Sequence, residues 1–109
     1  MAGSRDITDI KIVELVIQNS GFKIDELVCG MARGVDSIGY LLCKKKGIPI
    51  KEFPADWNRY GKSAGFVRNE EMAQYATHLI AISKDRSPGT ENMINLANRY
   101  NLKVFVSRL

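Results

Sequence analysis

Three segments of the chain combine glycine or proline with polar or cationic residues in arrangements suited to holding an anion. Gly30-Met31-Ala32-Arg33-Gly34-Val35-Asp36 has the pattern of a strand-to-helix turn, in which exposed backbone N–H groups and the helix dipole together favour phosphate or carboxylate. Ser87-Pro88-Gly89-Thr90 opens another helix, with Thr90 as its cap, and Gly89 lets a ligand approach the backbone closely. Between them lies Pro54 to Tyr75, which holds the only Trp together with Asp56, Arg59, Tyr60, Lys62, Arg68 and Asn69. Arg68 falls in the first turns of a helix, where a cation works against the dipole, and that local conflict points to a role beyond the helix itself. Trp57 and Tyr60 offer flat faces to a base or sugar. Each segment also has an ordinary reading: a tight turn with Asp36 serving the first helical turn, a capped helix after Pro-Gly, and a Trp covering a core edge.

Other chemistries find less support. Ser4, Ser63 and Ser87 have no partner His in a recognisable nucleophile arrangement, and His78, just before a strand, reads as structural. Cys29 and Cys43 lack metal-type spacing and read as buried free thiols, so no metal site is expected. Asp36, Asp56 and Glu70 are the carboxylates placed to act as a general base on a bound ligand; Glu70 and Glu71 otherwise read as solvated helix residues.

The elements that must position these groups follow from hydrophobic periodicity. A helix starts after Thr8 or Asp9, with Ile10, Val13 and Ile17 on one face, and runs to Ser20-Gly21. Glu26 to Cys29 is a short buried strand, and Val35, Ile38 and Leu42 stripe a helix that ends at Gly47. Ile48 to Phe53 is the next strand and Pro54 to Ser63 a loop. A helix over about Ala64 to Ala76 turns Val67, Met72 and Ala76 inward. Leu79 to Ile82 suits a strand buried on both faces. The last helix carries Met93, Ala97 and Tyr100, and Lys103 to Val106 closes the chain as a strand.

This alternation predicts an α/β fold, a Rossmann-like three-layer sandwich with a mainly parallel sheet of four to five strands in a single domain, residues 1–109. Gly3-Ser4-Arg5 reads as the loop after a first strand that is truncated or missing, since only Met1 and Ala2 precede it. In such sheets ligands bind beyond the carboxyl ends of the strands, and the polar segments all follow strands. They are expected to converge.

The 109 residues are 45% hydrophobic and 26% charged, with a net charge of +4, which fits a globular domain with one core and a preference for anionic partners. Lys44-Lys45-Lys46 reads as a solvated helix C-terminus. There is no apolar run of membrane-spanning length and no signal peptide, so no membrane partner and a cytoplasmic location are expected.

Taken together, Gly3-Ser4-Arg5, Gly30 to Asp36, Pro54 to Asn69, and Gly89-Thr90 with Met93-Ile94 resemble the YspA-related, YpsA-like branch of the SLOG superfamily. These Rossmann-type domains occur in bacteria and their phages and also include the LOG phosphoribohydrolases and the DNA-uptake protein DprA. The resemblance covers nearly the whole chain. It implies binding, sensing or processing of a nucleotide or nucleotide-derived phosphate ligand through Gly3, Ser4, Arg5, Ala32, Arg33, Gly34, Arg68, Asn69, Gly89 and Thr90, with no certain cofactor. Around these, Gly30, Asp36, Trp57, Arg59, Tyr60 and Lys62 complete the expected site. A homodimer is implied only by the habit of relatives. Two rivals stand beside ligand binding: a LOG-like nucleoside-phosphate hydrolase, and single-stranded nucleic-acid binding as in DprA, ranked below a small ligand. LOG enzymes carry a catalytic Glu where this chain has Met93, and Glu91, two positions earlier, is turned to another side of the helix because neighbours rotate by about 100° each. The LOG mechanism is therefore not expected to transfer.

Overall fold

Apolar stripes at helical spacing and short β-branched runs alternate along the chain, and they fold as parallel strands packed between helices. The structure, a computed structural model, describes residues 1–3, 9–30, 35–83 and 88–108. The strands are β1 (Ala2–Gly3), β2 (Leu27–Cys29), β3 (Ile50–Glu52), β4 (His78–Ser83) and β5 (Lys103–Arg108). Four helices of eleven or twelve residues accompany them: α1 (Ile10–Ser20), α2 (Val35–Lys45), α4 (Ala64–Tyr75) and α5 (Pro88–Arg99). A single-turn helix, α3 (Trp57–Tyr60), lies in between. All described strand pairs are parallel, and they form a three-stranded sheet in the order β1-β4-β5 and a two-stranded sheet, β2-β3. The single sheet expected from the alternation is thus described as two, with no ladder joining β1 to β2. The first strand is present as two residues, Ala2 opposite Ala81 and Gly3 opposite Ile82.

The core is organised around β4. Side chains alternate across a strand, so Ile80 and Ile82 pack with Val13 and Val16 of α1 and with Val35, Ile38 and Leu42 of α2. Leu79 and Ala81 face the other way, against Met72 and Ala73 of α4 and Met93, Ile94 and Ala97 of α5. Helices therefore cover both faces of β4. Each such aliphatic side chain contributes on the order of 2 kcal/mol when fully buried, which makes this strand the anchor of the fold. At Gly3 a Cβ would lie 2.5 Å from Val35 Cγ2 and 2.7 Å from the Ile82 carbonyl oxygen, so β1, β4 and α2 meet only because that position has no side chain.

Helix ends follow local chemistry. Asp9 caps α1 by accepting from the Lys11 N–H at 2.9 Å, and Gly21, at φ +70°, closes it in the left-handed region. The inward face of α1 is Val13 and Val16, whereas Ile10 is exposed and Ile17 half-buried, a shift of the expected stripe. In α4, Met72 is buried as expected, Val67 and Ala76 are half-buried, and Asn69 and Ala73 join the interior. Two further expectations are corrected. The Pro54 to Ser63 segment is not all loop: the Asp56 side chain accepts from the Arg59 N–H at 3.1 Å, which winds Trp57–Tyr60 into α3, and a 3-10 turn, Gly61–Ser63, follows. Thr90 is not the cap of the last helix, because α5 already begins at Pro88, where a missing N–H costs nothing; Tyr100 falls just beyond its end.

Among the described residues, no helix is long and apolar enough to cross a membrane.

Candidate functional site

The site is built outward from two neighbouring residues of α4. Arg68 extends from the helix so that its Nη1 donates to the Gly30 carbonyl oxygen at 2.8 Å, at the carboxyl end of β2, while its Nε donates to Asn69 Oδ1 at 3.3 Å. Asn69, itself buried, donates through Nδ2 to the Gly89 carbonyl oxygen at 3.3 Å and to Asn92 Oδ1 at 3.1 Å. One dipeptide thereby ties the end of β2 to the start of α5. The cation that opposes the dipole of α4 is offset by a charge-assisted bond across the fold. A guanidinium has five N–H donors, and Nη2 carries no described bond.

Beside Arg68 lies a cavity of about 200 Å³ lined by Pro54, Asp56, Arg59, Tyr60, Ala64, Val67 and Glu71 as well as by Arg68 itself. Its charged groups are two guanidiniums and two carboxylates. The Arg59 guanidinium also stands 5.1 Å from the centroid of the Tyr60 ring, within cation–π range. The end of β3, the short helix α3 and the first turns of α4 supply these walls.

Of the expected site residues, the described fold brings Arg68, Asn69, Gly30 and Gly89 into one hydrogen-bonded group, with Asp56, Arg59 and Tyr60 in the adjoining cavity. Thr90 is buried in the first turn of α5 and Asp36 in that of α2. Trp57 and Lys62 are exposed and line neither feature. The Trp57 ring is 56% exposed, so it does not serve as a cover for the core. Gly3 is explained by packing, as described above. Ser4, Arg5, Ala32, Arg33 and Gly34 lie outside the described residues.

The weak candidates for a general base separate. Asp56 faces the cavity while capping α3, Asp36 is buried in the first turn of α2, and Glu70 accepts from the Tyr100 hydroxyl at 3.0 Å. Glu71 is exposed on α4, as expected of a solvated helix residue, and also borders the cavity; its position one turn after Arg68 was the available signal. Asn92 carried no signal, since only the tertiary approach of α4 to α5 brings it to Asn69. Glu91 makes a two-pronged pair with Arg108, at 2.8 and 3.2 Å, directed at the end of β5, while Met93 is buried in the core.

Among the described residues, two ionisable groups depart clearly from their ordinary values, and both lie away from this cluster. Burial pushes the Cys43 thiol above 9.0, against the opposing influence of Lys46 and the terminal amine. The hydrogen bond to Glu26 pushes the Tyr75 phenol above 10.0. Cys29 and Cys43 are buried and not in a disulfide, with Cys29 Sγ donating to the Asp36 carbonyl oxygen at 3.8 Å, and no group of three or more His, Cys, Asp or Glu able to hold a metal ion occurs among the described residues.

Comparison with models of known protein families, with curated proteins and with solved structures returns no match.

Proposed function

We propose that the protein binds a nucleotide or nucleotide-derived phosphate ligand at the carboxyl ends of its parallel strands, as a SLOG-type Rossmann-like sandwich in which β3-β2 and β1-β4-β5 act as one layer. The observation that carries this reading is Arg68. Its guanidinium is held by the Gly30 carbonyl and Asn69 at the junction of β2, α4 and α5, which orients a cation where open α/β sheets receive anionic ligands. In this reading Arg33, Lys62 and Arg68 pair with phosphate, the helix starts near Gly34 and Thr90 add N–H donors, and Tyr60 or Trp57 meets the base or ribose.

Isothermal titration calorimetry against the four ribonucleoside mono- and diphosphates tests it. At least one is expected to bind in the micromolar range, with Arg68→Ala weakening it by tenfold or more, about 1.4 kcal/mol or above. Absence of binding across the panel would overturn the proposal.

A second reading is favoured by Asp56 and Glu71 lining the same cavity as Arg59 and Arg68: cleavage of a nucleoside phosphate with one carboxylate as general base. Release of free base or inorganic phosphate from nucleoside monophosphates separates it from binding alone.

A further inference from the structure

Gly65, in the first turn of α4, is a glycine that neither the backbone nor the packing requires. Gly21, Gly47 and Gly61 sit at positive φ, and Gly3 and Gly30 have neighbours too near for a side chain. Gly65 has neither constraint. A Cβ built on it would meet Arg68 Nη2 at 3.7 Å and Trp57 Cη2 at 3.9 Å, both ordinary van der Waals distances. Alanine would fit there and is the better helix former. What the glycine keeps open is a methyl-sized gap between a guanidinium and an indole ring.

The two walls of that gap differ in chemistry. Arg68 donates through Nε to Asn69 and through Nη1 to Gly30, which fixes the guanidinium plane and leaves Nη2 beside Gly65. On the other wall, Trp57 begins the short helix α3, wound by the Asp56 cap, and is 56% exposed. A large ring left in water is a surface on which another flat ring can stack. Both walls lie within 4 Å of one point, the place of the absent Cβ. A ligand that touches both therefore carries a planar ring and an anion with one small spacer between them.

We propose that Trp57, Gly65 and Arg68 form a clamp for a nucleoside monophosphate, with the base stacked on the indole, the ribose over Gly65 and the phosphate on Arg68 Nη2. The inference rests on the reading of Arg68 as the phosphate-binding cation and narrows the ligand to nucleotides with a single phosphate. In a diphosphate the terminal phosphate lies farther from the base than this gap spans, so it adds no contact with Nη2. Gly65 is the specificity-determining position, because any side chain there takes the place of the sugar.

Trp57 is the only tryptophan of the chain, so intrinsic fluorescence reads this ring alone. The test titrates the protein with the four ribonucleoside monophosphates, the matching diphosphates and ribose 5-phosphate, following Trp57 emission and, in parallel, heat. Saturable quenching by at least one monophosphate is expected, with ribose 5-phosphate at least tenfold weaker and the diphosphate no tighter. Gly65→Ala is expected to weaken that monophosphate fivefold or more while the thermal midpoint stays level or rises, and Trp57→Leu, at an exposed position, to weaken it tenfold by calorimetry. Heat of binding without a change in emission, equal affinity for ribose 5-phosphate, a tighter diphosphate, or variants that bind like the parent would overturn the clamp and leave nucleotide binding at Arg68 standing. Neither heat nor quenching with any of these ligands would overturn both.

Discussion

Arg68 and Asn69 set one half-buried charge beside one buried amide. Arg68 donates through Nε and Nη1 within the fold, whereas Asn69 directs its Nδ2 to Gly89 and Asn92. Replacing Asn69 by Ala removes two part-buried bonds whose acceptors, on exposed Gly89 and half-buried Asn92, water can reach, and the expected loss of stability is about 1 kcal/mol. Asn69→Asp is expected to cost more, because it sets an acceptor against two acceptors; urea denaturation of the two variants checks the order. Sequence reasoning singled out this pair from a mismatch between a cation and a helix dipole. It could not supply Gly30 or Asn92 as hydrogen-bond partners, separated from the pair by 38 and 23 positions along the chain, since local patterns carry no record of which carbonyl an arginine reaches.

At the scale of elements, the boundaries were legible where side chains announce them and shifted where the backbone decides. Asp9 and Gly21 bracket α1, and Lys44 and Lys45 occupy the last turn of α2, all readable from residue type. Pro54 to Ser63 was read as a loop for its polarity, but Asp56 winds it into α3 by capping, and the start of α5 fell to Pro88 rather than Thr90. The meeting of β2 with α4 is equally particular. A Cβ on Gly30 would stand 2.9 to 3.1 Å from Arg68 Cδ, Nε and Cζ, the flexible part of that side chain. Gly30→Ala is therefore expected to displace the guanidinium at a stability cost of less than about 1 kcal/mol, yet to weaken the binding of any nucleotide that Arg68 holds by about tenfold. Calorimetric titration beside a thermal melt separates the two effects.

In the whole molecule, β4 is the axis: covered by helices on both faces, it carries β1 and β5 on its edges. Its run of Leu79 to Ile82 was the clearest fold signal in the sequence, because a short, bounded run of four apolar residues suits a strand buried on both sides. Strand order and the separation of β2-β3 from β1-β4-β5 were not legible, since pairing depends on long-range contacts that periodicity does not encode. The two ends of the strands differ in character. The carboxyl end gathers Gly30, Arg68, Asn69 and Gly89 beside a cavity with charged walls, while the amino end holds a second cavity, of about 340 Å³, whose lining mixes apolar side chains such as Phe22 and Ile80 with Lys23, Asp25, Glu26 and His78. The assignment of ligand binding to the first of these is tested most directly by titrating ¹⁵N-labelled protein with ribonucleoside mono- and diphosphates and mapping the amide shifts. The account predicts saturable changes concentrated at Gly30, Arg68, Asn69, Gly89 and Thr90. Changes confined to Phe22, Ile24, Val28 and His78, or no saturable change with any nucleotide, would contradict it.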